Sequence, residues 1–217
     1  MRRAGVLALV LWPALSGAQT ERWEPGEATA STVRGEVAGA RRGSGDGVYG
    51  RFEGDLDVGF GLGVTTVSEQ ALGAMRASLS YYATLGLYAG YADALGRDHD
   101  VRRAVEFGVE LRPLFLLRWS RDAEQGPATL DLCIDSLSLG AGAFVAQPAG
   151  GDFGATRGIE LPVGLGLPLA GKAQGPWLEA RYVWRWSNPG EGDAASTEHA
   201  VLAVLSWHAL FLSGIGD

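Results

Sequence analysis

Between Phe52 and Val64 the chain keeps two kinds of residue on two parities. Phe52, Leu56, Val58, Phe60, Leu62 and Val64 fall on one, and Glu53, Asp55, Asp57, Gly59, Gly61 and Gly63 on the other. A period of two is that of a β-strand with one apolar and one polar face. The same rhythm returns along the chain. Met75, Ala77, Leu79 and Tyr81 oppose Arg76, Ser78 and Ser80 within Gly73 to Tyr82, and Leu85, Leu87, Ala89 and Tyr91 oppose Gly86, Tyr88 and Gly90. Val105, Phe107, Val109 and Leu111 oppose Glu106, Gly108, Glu110 and Arg112. From Leu137, the residues Leu139, Ala141, Ala143 and Val145 oppose Ser138, Gly140 and Gly142.

Three further segments follow. Ile159, Leu161, Val163, Leu165, Leu167 and Leu169 oppose Glu160, Gly164 and Gly166, and Leu178, Ala180, Tyr182, Trp184 and Trp186 oppose Glu179, Arg181 and Arg185. Val201, Ala203, Leu205, Trp207 and Phe211 oppose Ser206 and His208, with Leu202 and Val204 blurring the polar face. These add up to about eight strands, an even number suited to a closed antiparallel barrel. Pro162 cannot donate to a ladder, which predicts a bulge there. Residues 113–136 break the rhythm. Pro113 interrupts, Leu114 to Leu117 are continuously apolar, and Pro127 introduces a short helical spacing through Leu130, Ile134 and Leu137.

The first 18 residues read as a secretory signal. Arg2 and Arg3 precede a short apolar run, Gly5 to Leu15, and Ser16-Gly17-Ala18 fits a small-residue cleavage site. That run is shorter than the roughly 20 residues a spanning helix needs. Residues 19–50 are small and polar, too poor in large apolar groups to offset their ordering entropy, and read as a mobile extension before a barrel over 51–217. Without Arg2 and Arg3 the 18 basic residues become 16 against 25 acidic, a balance of −9 that argues against nucleic acid as a partner. Cys133 is the single cysteine, which excludes an intramolecular disulfide.

Two arguments assign the faces. An eight-stranded barrel has an interior barely wide enough for its side chains. The apolar parity carries Leu, Phe, Tyr and Trp and would overfill it, whereas Gly, Ser and a few ion pairs fit. Tyr81, Tyr91, Trp184, Trp186 and Trp207 also lie on the apolar parity towards strand ends, as an interfacial aromatic girdle would. Both place the apolar face outward, in lipid, and make the chain an all-β, up-and-down transmembrane barrel. A soluble secreted barrel with the faces reversed and an apolar ligand inside is the alternative.

On this strand pattern and loop rhythm, residues 51–212 resemble the small bacterial outer-membrane barrels of the OmpA/OmpX-like eight-stranded class. The resemblance implies a cell-envelope protein of the outer membrane, with outer-membrane lipid around it and both chain ends periplasmic. Ala83-Thr84 and 170–175 are then periplasmic turns, and 66–72, 93–103, 146–157 and 187–198 extracellular loops. Two departures stand out: the link after the fourth strand is longer than the class expects, and the last aromatic, Phe211, precedes Ser213-Gly214-Ile215-Gly216-Asp217.

The inward face would carry Asp55, Asp57, Arg76, Glu106, Glu110, Arg112, Glu160, Glu179, Arg181 and Arg185. Buried charges need partners, so these are expected to pair into a plug; a porin-like charge-lined path is the other reading. Ser206 and His208 share that face, and with a carboxylate they would suit an enzyme modifying outer-membrane lipid. Residues two apart on one strand are about 7 Å apart, too far for a direct Ser–His bond without a bulge. Asp98-His99-Asp100 and Glu198-His199 are candidate metal ligands in two loops, weak without cysteine or tight spacing. Gly59 to Gly63 is no phosphate loop, because the strand pattern runs through it. The sequence thus points to a non-enzymatic barrel without cofactor or metal, structural or recognitive, meeting lipid and an extracellular or periplasmic protein.

Overall fold

The computed structural model describes residues 54–67, 70–96, 100–121, 123, 126–188 and 196–213. The signal, the extension and the first residues of the leading strand segment lie outside them. Eight strands follow in order: β1 (Leu56–Val67), β2 (Gln70–Tyr81), β3 (Leu85–Ala94), β4 (Val101–Leu111), β5 (Ser138–Pro148), β6 (Thr156–Pro168), β7 (Gly175–Asn188) and β8 (Ser196–Phe211). Each pairs antiparallel with the next, and β8 returns to β1, with Leu56 opposite Phe211. The barrel is closed and up-and-down, so no strand edge is left to attract another chain.

The two ends of the barrel are built differently. At the end carrying Leu56 and Phe211, β2 and β3 are joined by a tight turn in which Tyr82 and Ala83 both take positive φ, 45° and 49°, and Thr84 N–H donates to Tyr81 O at 3.0 Å. Positive φ at both central positions is the requirement of a two-residue hairpin turn that matches strand twist. At the same end the long β4–β5 link folds into two helices, α1 (Pro113–Trp119) and α2 (Ala128–Asp135). The sequence signals the second helix through Pro127, which caps it, but Leu137 lies beyond its end. The first helix is legible only as the apolar run after Pro113, which opens it at N1.

At the opposite end the links are shorter than the sequence suggests. Residues 93–103 read as one charged loop, yet β3 runs to Ala94 and β4 starts at Val101. Ladder hydrogen bonds extend through polar residues such as Asp93, Arg103 and Thr156 because solvent at the rim satisfies their side chains. Pro162 makes no bulge. The β5–β6 register is the same on both sides of it, Leu139 opposite Val163 and Gly142 opposite Glu160, and the pairs between are missing where the amide is absent. The irregularity in the described ladder between β4 and β5 falls instead at Val101–Arg103.

The terminal end is stitched by Asp55. Its carboxylate accepts the Ser213 hydroxyl and the Ser213 backbone N–H, the latter at 2.5 Å, and Tyr82 N–H donates to Asp55 O at 2.7 Å. Hydrogen bonds from the Ser213 side chain and then its backbone hold the Asp55 carboxyl below its ordinary value of 3.8. A group depressed in the folded state contributes stability that is in place above its unfolded pKa and is lost as pH falls through the lower folded value. Amide exchange should therefore show Ser213 N–H protected at neutral pH and through the ordinary carboxylate range, with protection lost only below it. Asp55→Ala should remove that protection at every pH; its survival would sink the assignment.

Candidate functional site

Alternation sorts the side chains of all eight strands. The apolar parity points outward: Phe60, Leu62, Leu87, Phe107, Ile159, Leu205 and Trp207 are each more than half exposed. The other parity points inward and is buried, and there the charges meet.

Glu110 on β4 is the hub. Its Oε2 accepts Arg181 Nη1 at 2.5 Å and Arg76 Nη2 at 2.8 Å, and its Oε1 accepts Arg112 Nη2 at 3.5 Å. Arg112 reaches Asp57 at 3.2 Å, and Arg181 reaches Glu179 at 3.4 Å. His208 completes a ring, with Nδ1 2.9 Å from Asp57 Oδ1 and Nε2 2.9 Å from Glu179 Oε1. A second ring runs from Arg76 through Glu106 at 3.9 Å, then Arg185, then Glu160 at 2.9 Å. Tyr88 closes it by donating to Glu160 at 2.9 Å while the Arg76 guanidinium lies 4.4 Å from its ring centre. A His208 ring protonated on both nitrogens donates to both its carboxylates. Arg76, Arg112, Arg181, Arg185 and His208 then balance Asp57, Glu106, Glu110, Glu160 and Glu179.

These side chains need lateral room, and glycine supplies it. Tyr88, Gly108, Gly142 and Glu160 occupy one register row across β3 to β6. The Tyr88 ring lies across both glycines to reach Glu160. A Cβ at Gly108 would come within 2.7 Å of the Tyr88 hydroxyl, and one at Gly142 would overlap it. Gly90 sits likewise between Arg76 and Glu106 in the next row, where a Cβ would fall 2.5 Å from Glu106 Oε1.

Apolar clusters flank the charged layer. Towards the far end Val67, Leu72, Ala92, Val183 and Ala200 pack together, beside Ala104, Phe144 and Ala146. Towards the terminal end Leu132 of α2 packs on Ala173 and Trp177, with Leu210 against them. Leu202 and Val204, which blur the polar parity in the sequence, also point inward and are buried. A residual cavity of about 20 Å³ beside Asp57, Arg112, Arg181 and His208 has room for about one water.

Nine of the ten charged residues named from the sequence meet in these two rings. Asp55 does not; it belongs to the rim with Ser213. Tyr88 and His208 complete the rings, and their place on the glycine-rich parity was the signal for both. Arg118 pairs with Asp131 and, at 2.9 Å, with Asp135, and thereby clamps α1 to α2. No period-two pattern could mark that cluster. Of the aromatic set, Trp184, Trp186 and Tyr91 lie outward near the far end, and Tyr81 and Trp207 outward towards the terminal end.

Ser206 does not engage His208. Its hydroxyl donates to Glu179 Oε1 at 2.5 Å, on the same oxygen that faces the imidazole, and both residues are buried. Ser206 thus donates to a weakly basic carboxylate rather than to the imidazole that would activate it. Of the candidate metal ligands, Asp98 and His99 lie outside the described residues, Asp100 exchanges hydrogen bonds with Gln70, and His199 Nδ1 is 2.9 Å from the Tyr182 hydroxyl. The chain matches no protein-family model, and no curated protein matches it.

Gly142→Ala should cost about 1–3 kcal/mol through overpacking, read as a lower midpoint in urea. Gly73→Ala is the control, because its Cβ would crowd the flexible end of Leu95 at 3.1 Å and meet the Asp93 backbone oxygen at an ordinary 3.8 Å, and it should be close to neutral. Equal effects at the two positions would refute a steric role for Gly142 beneath Tyr88.

Proposed function

We propose that this chain is a bacterial outer-membrane barrel of the small OmpA/OmpX-like kind, and that its lumen is plugged rather than conducting. Its role is then structural or recognitive, not enzymatic. The observation that carries the reading is the outward apolar wall on all eight strands around an inward charged core. A wall this extensive exceeds the few hundred Å² of contiguous apolar surface that soluble monomers expose. On β8 the outward run from Val201 to Phe211 contains only Val, Ala, Leu, Trp and Phe. At a strand tilt near 40° it covers about 25 Å, the height of an outer-membrane apolar band.

Polar outward groups gather beyond that band. Thr66, Asp93, Arg103, Gln147, Arg157 and His199 ring the far end, with Trp184 and Trp186 among them and Tyr91 and Tyr182 just inside. Amphipathic rings at the boundary between a polar rim and an apolar wall suit a lipid headgroup layer. The plug reading rests on the paired charges and on the apolar clusters above and below them. With short links at the far end, recognition would rest on the rim residues themselves more than on long loops. The hydrogen bond from Ser206 to Glu179 supports the non-enzymatic reading.

Fractionation should place the protein with the outer membrane, and its gel mobility in SDS should shift on boiling; a soluble, unshifted protein would overturn the reading. Reconstituted in planar bilayers it should show no porin-like conductance. Leu205→Arg, at mid-wall, should lower stability in vesicles by about 2–4 kcal/mol. An exposed site in water would tolerate the same change with almost no cost, so a neutral result counts against the membrane.

A further inference from the structure

We infer that the α1–α2 hairpin is an interfacial foot: it lies on the lipid headgroup layer at the terminal end and presses an apolar face into it. This inference rests on the membrane reading above. The hairpin leaves β4 after Leu111 and enters β5 just before Leu139, two outward wall residues that face each other in the ladder. The charges on its two helices are turned against one another. Arg118 on α1 donates to Asp131 and Asp135 on α2, to the Asp131 backbone oxygen at 3.1 Å and to Ala123 O at 3.3 Å. Four large apolar side chains are left outside: Leu116, Leu117, Leu130 and Ile134 are 45, 45, 51 and 36 % exposed, beside the exposed Ser120, Arg121 and Thr129.

Leu130 and Ile134 are one turn apart and so share a face of α2. The opposite side of α2 is occupied, since Leu132 packs on Ala173 and Trp177, and Ser136 exchanges hydrogen bonds with Gly166 at 2.7 and 2.8 Å. A helix pair fixed to the barrel by one face, with leucine and isoleucine on another and an exposed arginine at its turn, has the amphipathic character of a helix that lies in a membrane interface. The apolar face also adjoins the wall, because Leu111 and Leu139 flank the hairpin and Leu165, Leu167 and Leu169 are exposed at the same end. The surface that covers the wall therefore covers the hairpin, and that surface is lipid.

Single-cysteine variants Ile134→Cys and Leu205→Cys in a Cys133→Ala background test this. Each carries a nitrobenzoxadiazole label and is reconstituted in phosphatidylcholine vesicles brominated either near the glycerol or near the chain midpoint. A heat-shifted gel band confirms that each labelled variant is folded. The label at 205 should be quenched most by midpoint bromines, and the label at 134 most by bromines near the glycerol. If 205 is quenched and 134 is not, the hairpin stands in water or against a protein, and the inference fails while the membrane reading survives. If 134 responds mainly to midpoint bromines, the hairpin is buried in the hydrocarbon and the interfacial placement fails. If neither label is quenched, the membrane reading itself falls and takes this inference with it.

Discussion

The structure depends on fitting charge into a narrow lumen. Eight strands enclose a space that side chains alone can fill, and here that space holds guanidinium groups, carboxylates, an imidazole and a phenol. Taking such groups out of water costs several kcal/mol each unless each finds a partner in good geometry. The two fused rings centred on Glu110 and Arg76 meet that condition. No charge in the rings depends on one neighbour alone; Glu110 contacts three arginines, and Glu179 contacts Arg181, Ser206 and His208. The glycines follow from the same constraint. A long side chain that lies along the wall to reach a partner needs the adjacent inward position empty, which is why Gly90, Gly108 and Gly142 stand beside Arg76, Tyr88 and Glu106.

This constraint also explains how much of the fold is legible in the sequence. The period of two decides each strand and each face, since a slip of one residue would turn every leucine inward. The interior follows from volume: glycine and isolated charges fit where the leucines cannot. The pairing of particular charges was not legible, because partners such as Arg181 and Glu110 are 71 residues apart and meet only through the register of intervening strands. Asp55 shows the limit most plainly. It has the parity of a lumen residue and sits one step outside the ladder, where Ser213 claims it.

The rim was harder to read than the wall. Strands β3 and β4 extend through Asp93 and Arg103, residues whose charge suggests a loop, because charge reports contact with solvent and not the end of a ladder. Residues 113–136 failed for the opposite reason. Leu114 to Leu117 are apolar without a period, and a seven-residue helix offers too few turns to reveal one. What stabilises that helix is tertiary: Phe115 is buried and Arg118 is tied to α2. Neither contact leaves a mark within the helix's own sequence.

The two ends of the barrel follow one principle applied to different surroundings. At the far end, polar outward residues such as Asp93, Arg103 and Arg157 are exposed, with aromatic rings among and beneath them. At the terminal end, the helix pair turns Arg118 onto its two aspartates and leaves leucine and isoleucine outside. A hairpin meant for water would show the reverse, with Arg118 and its aspartates exposed and Leu116, Leu117 and Leu130 packed against the barrel. Helix α2 does send one residue, Leu132, into the barrel mouth, where it joins Trp177 below the charged rings. The hairpin therefore does two jobs from opposite faces. On the membrane reading proposed above, one face fills the mouth of the barrel and the other extends the apolar wall, so both depend on the packing of the same two helices.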